Sequence, residues 1–315
     1  MRANWLVYFQ INKNEGKHLD KTIRIMRSNL EPHVTVYIIH FGPSTKSNAR
    51  LCVYTKNNET ELLRFRNDGI ENVPTNLKAF SDYLVKNKVK IDAVCVWAHG
   101  AGYGISKWKG WKRPFLQINH AVDYLITPFK PSLVCFDACY QGNMSCLYEM
   151  PPDVRVVVAS PAFHPFVSLM WAKIFGNLKR GITKNETMEY AKTMCKQWHK
   201  QTKATWKCML VFDMDYIPQI AKMVKNDFDL LKFDRVSQID KEDANLHDLF
   251  SAARHFPELQ IAILKSIQGS GKMCLDECTP RVKGMSVEAH LPRKWLEAYT
   301  STRWYKEIVA HKKGF

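Results

Sequence analysis

Two short stretches carry side chains suited to covalent chemistry. His99 stands in Ala98-His99-Gly100-Ala101-Gly102-Tyr103-Gly104, and Cys139 closes Asp137-Ala138-Cys139 about 40 residues later. The first follows the apolar run Ile91 to Trp97, the second Leu133 to Phe136. In open parallel sheets ligands collect at the carboxyl ends of strands, so residues just past such runs are the place to look. A histidine and a cysteine at the ends of neighbouring strands face one another across roughly 5–7 Å, the parts of a nucleophile and its base. The imidazole raises the thiolate fraction or hands a proton to a leaving amine. Gly100, lacking a Cβ, lets a substrate carbonyl approach, so its N–H and that of Cys139 can donate to a developing oxyanion. Taken singly, each has a plainer reading as a strand-end histidine, a core thiol or an ordinary loop. The pair at adjacent strand ends favours chemistry.

The elements that would hold these residues follow from periodicity. Trp5 to Gln10 and the β-branched run Val34 to Phe41 read as buried strands, with helical spacing between them at Leu19, Ile23, Ile25, Met26 and Leu30. Strand, helix, strand implies a parallel crossover. Arg50 to Thr55 and Glu61 to Arg66 read as shorter strands around Asn57-Asn58, and a helix spans Thr75 to Lys86 just after Pro74. Ile91 to Ala98, Ser132 to Asp137 and Val154 to Ala159 are apolar on both faces, the mark of central parallel strands. Between the last two, Met144 to Met150 allows one or two helical turns. Further on, Phe163 to Leu178, Asn185 to Lys200 and Ile217 to Leu231 have helical periodicity, with a strand-like run at Lys207 to Asp213.

Bulk properties narrow the class. The chain has 315 residues, 46% hydrophobic, which rules out dominant disorder and allows one or two domains. No apolar stretch approaches the roughly 18 residues a membrane span needs. The start Met1-Arg2-Ala3-Asn4 shows no leader pattern, and nine scattered cysteines do not form a disulfide framework, so an intracellular, reducing location is expected. A net charge of +16 favours association with nucleic acid or an acidic partner, but the lysines are dispersed. One concentrated exception, Lys107-Trp108-Lys109-Gly110-Trp111-Lys112-Arg113, interleaves aromatic and basic residues that suit nucleic acid. Cys274 and Cys278 have half a zinc site's spacing, but only His290 lies nearby, so no metal and no cofactor is expected.

In order along the chain, the motifs resemble the clostripain-like cysteine peptidases, which belong with caspases and gingipains. The first strand Trp5-Leu6-Val7-Tyr8 precedes Asn12 and Asn14-Glu15. The family's His-Gly-Gly-Gly-Trp loop is similar to His99-Gly100-Ala101-Gly102-Tyr103, and its nucleophile strand to Phe136-Asp137-Ala138-Cys139. Ala159-Ser160, Pro165 and Trp171 continue the likeness, with fainter echoes at Phe212-Asp213, Leu246-His247-Asp248-Leu249 and Gly284-Met285-Ser286-Val287 with Pro292.

The resemblance implies a caspase-like three-layer α/β/α sandwich with a mostly parallel central sheet over residues 1–178, and a helix-rich C-terminal region, 179–315, packed on it. It implies a Cys139/His99 dyad, oxyanion donors at Gly100 and Cys139, and Asp137 in a pocket for Arg or Lys. Ser160 and Tyr140 would flank the polypeptide substrate. Two departures stand out. Ser160-Pro161-Ala162-Phe163-His164 replaces the family's acidic residues after Ser, and Tyr140-Gln141 follows the nucleophile where relatives have small or long apolar residues. These, with the +16 charge, leave a rival reading: a catalytically weak or inactive caspase-like scaffold that binds nucleic acid or a larger assembly.

Overall fold

The computed structural model describes residues 2–10, 16–41, 48–66, 72–100, 104–105, 116–162, 175, 178–201, 208–234, 238–239, 246–269, 283–289 and 296–312. The chain lays down β1 (Ala3–Gln10), α1 (Gly16–Asn29), β2 (Val34–Phe41), β3 (Asn48–Tyr54), β4 (Glu59–Arg66), α2 (Asn72–Lys86) and β5 (Ala93–Trp97). A short antiparallel pair, β6 (Gly104–Ile105) with β7 (Leu116–Gln117), leads into α3 (Ile118–Ala121), which runs on as π-helix to Ile126. Then come β8 (Leu133–Asp137), α4 (Met144–Leu147) and β9 (Val156–Ala159). The later part supplies α5 (Lys184–Gln201), β10 (Leu210–Asp213), α6 (Ile217–Asp227), β11 (Leu246–Asp248), α7 (Leu249–Ala252), α8 (Pro257–Ser266), β12 (Ile267–Gly269), β13 (Ser286–Glu288) and α9 (Leu296–Thr300).

Among the described residues one sheet has nine strands in the order β12-β10-β9-β8-β5-β1-β2-β3-β4. The five from β9 to β2 are parallel, and antiparallel pairs extend both edges. Strands buried on both faces need apolar side chains at every position, which is why β5, β8 and β9 read as unbroken runs. Val134 and Phe136 of β8 enter one core, with Val73, Leu77, Phe80 and Leu84 of α2 and Ile220 and Val224 of α6. Leu133 and Cys135 enter the other, with Met26 of α1 and Met194 and Trp198 of α5. A sheet with a separate hydrophobic core on each face is the three-layer α/β/α arrangement.

The helix expected from Thr75 begins at Asn72, because Pro74 falls in the first turn, where a missing N–H costs nothing. The strands β10 and β12, both from beyond residue 179, complete the same sheet that β1 begins. The seven described cysteines are all free thiols. No helix among the described residues is long and apolar enough to cross a membrane. Several sequence features lie outside the described residues: Asn12 to Glu15, Ala101 to Tyr103, Lys107 to Arg113, His164, Pro165 and Trp171 with most of the expected Phe163–Leu178 helix, Cys274 to Cys278, His290 and Pro292.

Candidate active site

β5 and β8 are parallel neighbours, paired through Trp97 and Asp137 at their carboxyl ends. The ladder runs one step further, where the Ala98 N–H donates to the Asp137 carbonyl at 3.3 Å. His99 and Cys139 each lie two residues beyond the Trp97/Asp137 pair, and both are half-buried. Four other strand and helix thiols differ in kind. Cys95, Cys135, Cys146 and Cys195 are enclosed, and burial pushes each thiol well up, a setting in which the reactive thiolate is scarce. Two residues from Cys135 on β8, the buried Asp137 shares the side of the sheet that Cys135 and its partner Cys95 face, and its charge raises both thiols further.

The two strand-end loops touch through backbone. A Cβ placed on Gly100 would sit 2.4 Å from the Cys139 carbonyl oxygen and 2.6 Å from Gln141 Nε2. Glycine is therefore demanded at 100 by the loop that carries Cys139. Gln141, fully buried, donates through Nε2 to the Gly104 carbonyl at 3.3 Å and so ties β6 to the same loop.

Past Cys139 the chain turns sharply. Tyr140 has φ of 60°, uncommon for an aromatic residue, and its N–H donates to the Ala162 carbonyl at 2.9 Å. The Gly142 N–H donates to the Ser160 carbonyl at 2.7 Å. Ser160 is fully buried; its hydroxyl donates to the Ala162 carbonyl at 3.0 Å and accepts from the Ala162 N–H at 3.2 Å. The end of β9 is thus laced to the loop that carries Cys139. Asn143 then caps α4, its side chain accepting from the Ser145 N–H at 2.7 Å.

A second small sheet closes the other side, and sequence patterning gave no account of its role. β11 and β13 pair antiparallel, bringing Leu246-His247-Asp248 against Ser286-Val287-Glu288, two of the faint echoes of the family pattern. The Ser286 N–H donates to the Gly142 carbonyl at 3.0 Å, and Ser145 Oγ donates to the buried Glu288 carboxylate at 2.8 Å. Ile239 and Leu246 pack on Tyr140 and Ala162, with Cys139 at the edge of that cluster. Asp248 anchors the arrangement. One of its oxygens accepts from the N–H and hydroxyl of Ser251, the other from the N–H groups of Lys283 and Gly284. Burial outweighs those bonds and raises Asp248 to about 6. Among the described residues no His, Cys, Asp and Glu cluster could hold a metal ion.

This is the caspase-like α/β/α fold, with a cysteine and a histidine at the carboxyl ends of adjacent central strands. No family model and no curated protein sequence matches the chain. Solved structures do. An inactive zymogen C11 protease from Parabacteroides distasonis superposes with a TM-score of 0.67 at 14% identity, over 98% of this chain and 97% of that one. A secreted C11 cysteine protease from Bacteroides thetaiotaomicron, in complex with an irreversible peptide inhibitor, gives 0.68 at 15% identity, over 97% and 98%. A further structure of a secreted C11 cysteine protease from that organism gives 0.71 at 10%, over 98% and 99%. Over nearly its whole length, the chain has the fold of the C11, or clostripain-like, cysteine proteases.

Proposed function

We propose that this protein is a cysteine endopeptidase, with Cys139 as nucleophile and His99 as its acid–base partner. The observation that carries the reading is the backbone contact of Gly100 with Cys139 at the ends of β5 and β8, which seats the histidine loop against the half-buried thiol. In the reaction, His99 takes the thiol proton as Cys139 Sγ bonds to the scissile carbonyl carbon, the carbonyl π pair moves onto oxygen, and the N–H groups of Gly100 and Cys139 hold the resulting oxyanion. The C–N bond breaks as His99 protonates the leaving amine. His99 then deprotonates a water, which attacks the thioester, and the C–S bond breaks to release the acid and restore the thiol.

Asp137, buried two residues before the nucleophile, supports a preference for Arg or Lys before the scissile bond, through charge-assisted pairing with the substrate cation. Tyr140 flanks the approach by its place beside Cys139, and Ser160, fully buried, acts from behind it by fixing the β9 turn. A peptidyl acyloxymethyl ketone bearing Arg or Lys tests the dyad. The unmutated protein should take up one label on Cys139; Cys139→Ala should take up none, and His99→Ala should label roughly 100-fold slower or worse. Labelling undiminished in either variant sinks the dyad. Asp137→Asn should cut the preference for basic over neutral substrates by roughly 10- to 100-fold. A substrate profile with no basic preference in the unmutated protein removes that claim alone.

A further inference from the structure

On the α1 side of the sheet, three strand spacings or roughly 14 Å from β8, a cavity of about 540 Å³ opens between α1 and the antiparallel extension β2-β3-β4. The register explains how it forms. His40 pairs with Arg50, Ile38 with Cys52, and Cys52 with Glu61, so these side chains share one face, and α1 overhangs it with Arg24 and Arg27. Three arginines and Lys56 therefore converge on one hollow with an apolar floor at Ile38 and Cys52.

The carboxylates present are already engaged. Glu59 accepts from Arg27 at 3.1 Å, and Glu61 takes a two-pronged bond from Arg64, 2.8 Å on each arm. Arg50 is left 3.9 Å from Glu61, beyond hydrogen-bond reach. Neither Arg24 nor Lys56 has an ion-pair partner among the described residues. Two buried atoms at the hollow, Arg50 Nε and His40 Nε2, have no hydrogen-bond partner among the described residues. Arg50 Nε is a donor, and leaving a buried donor unmatched costs about 1–3 kcal/mol, so it is available to a ligand acceptor; His40 Nε2 donates or accepts according to its tautomer.

We infer that this hollow binds a small molecule carrying a phosphate chain, with the phosphates held by Arg24, Arg50 and Lys56 and the rest of the molecule over Ile38 and Cys52. The forked guanidinium geometry suits phosphate oxygens, more than one cation asks for more than one negative charge, and the volume suits a nucleotide-sized ligand rather than a single ion. Burial and the charge of Arg50 hold the His40 imidazole near 4 before any ligand is bound. The site stands apart from the peptidase reading and does not depend on it.

Titration calorimetry at about 0.15 M salt, the ionic strength at which surface charge is well screened, tests this with ATP, inorganic pyrophosphate and adenosine. Saturable ATP binding in roughly the 1–100 µM range is expected, with pyrophosphate also bound and adenosine not. Arg24→Gln/Arg50→Gln should weaken ATP at least roughly tenfold, as should the rim variant Lys56→Gln to a smaller degree. The charge-matched pair Lys222→Gln/Lys225→Gln on exposed positions of α6 should leave affinity unchanged. Absence of ATP and pyrophosphate binding at about 1 mM overturns the inference. So does equal weakening in both double variants, which would assign binding to net charge, and so does binding untouched by Lys56→Gln and the arginine pair alike.

Discussion

Gly100→Ala is a one-methyl test of how the candidate site is assembled. The added carbon would lie 2.4 Å from the Cys139 carbonyl oxygen, and a main-chain oxygen cannot rotate away as a side chain would. Restoring ordinary contact requires the two loops to part by roughly 1 Å. A misplacement of that size costs about 100-fold in a reaction that depends on aligned groups, and a displaced oxyanion donor costs another 100- to 1,000-fold when it is lost outright. The overpacking itself costs about 1–3 kcal/mol, which for a chain of this size lowers Tm by about 2–5 °C. The assay pairs the second-order rate of labelling by a Cys-directed peptidyl probe with thermal denaturation. Gly181→Ala supplies the control: Gly181 has φ of 67° with open space around it, so alanine there strains the backbone by about 1–2 kcal/mol without crowding anything. Both variants should melt early, and only Gly100→Ala should label slowly. Labelling of Gly100→Ala at the unmutated rate would refute the claim that this contact seats the nucleophile.

Native-state alkylation by iodoacetamide should modify Cys139 well before Cys95, Cys135, Cys146 or Cys195, read by peptide mass mapping; prior labelling of Cys135 would show the strand end to be misplaced. Asp248 sets a pH dependence. Its carboxyl, raised from 3.8 to about 6, takes up a proton on folding between those values, so stability should fall as pH rises from about 4 to about 6 and level off above. Asp248→Asn should flatten that window in denaturant titrations. It should also lower stability at pH 7 by about 1–3 kcal/mol, since an amide nitrogen would face donors that a carboxylate oxygen now accepts. A variant that keeps the slope would assign it elsewhere.

The parallel core was legible because its rules are local. Val34 to Phe41 is rich in β-branched and apolar residues and forms β2 over those same residues, and the runs before His99 and Cys139 end within a residue of the ends of β5 and β8. Adjacency of the two ends followed from the parallel sheet. Much less could be read of the loop after the nucleophile. Tyr140 adopts a left-handed conformation that no residue-type preference signals, and β11 and β13 are three residues each, too short to show a period of two. What fixes them is tertiary: Ser145 with Glu288, and Gly142 with Ser286, pairs more than 140 residues apart. The cationic hollow beside α1 was equally hidden, since Arg24, Arg50 and Lys56 are ordinary surface residues until β-strand register places them together.

The stitching of Gly142 and Ser145 to Ser286 and Glu288 also fixes a chronology. A chain leaving the ribosome presents β1 to β9 long before β13 exists, so the nucleophile loop lacks one of its walls until nine-tenths of the polypeptide has been made. Contacts that span so much sequence form late, after the loop-closure entropy between them has been met. On the proposed peptidase reading, Cys139 is thereby expected to remain unseated while its own unfinished chain, and that of its neighbours on the same message, is still extended and easily cleaved.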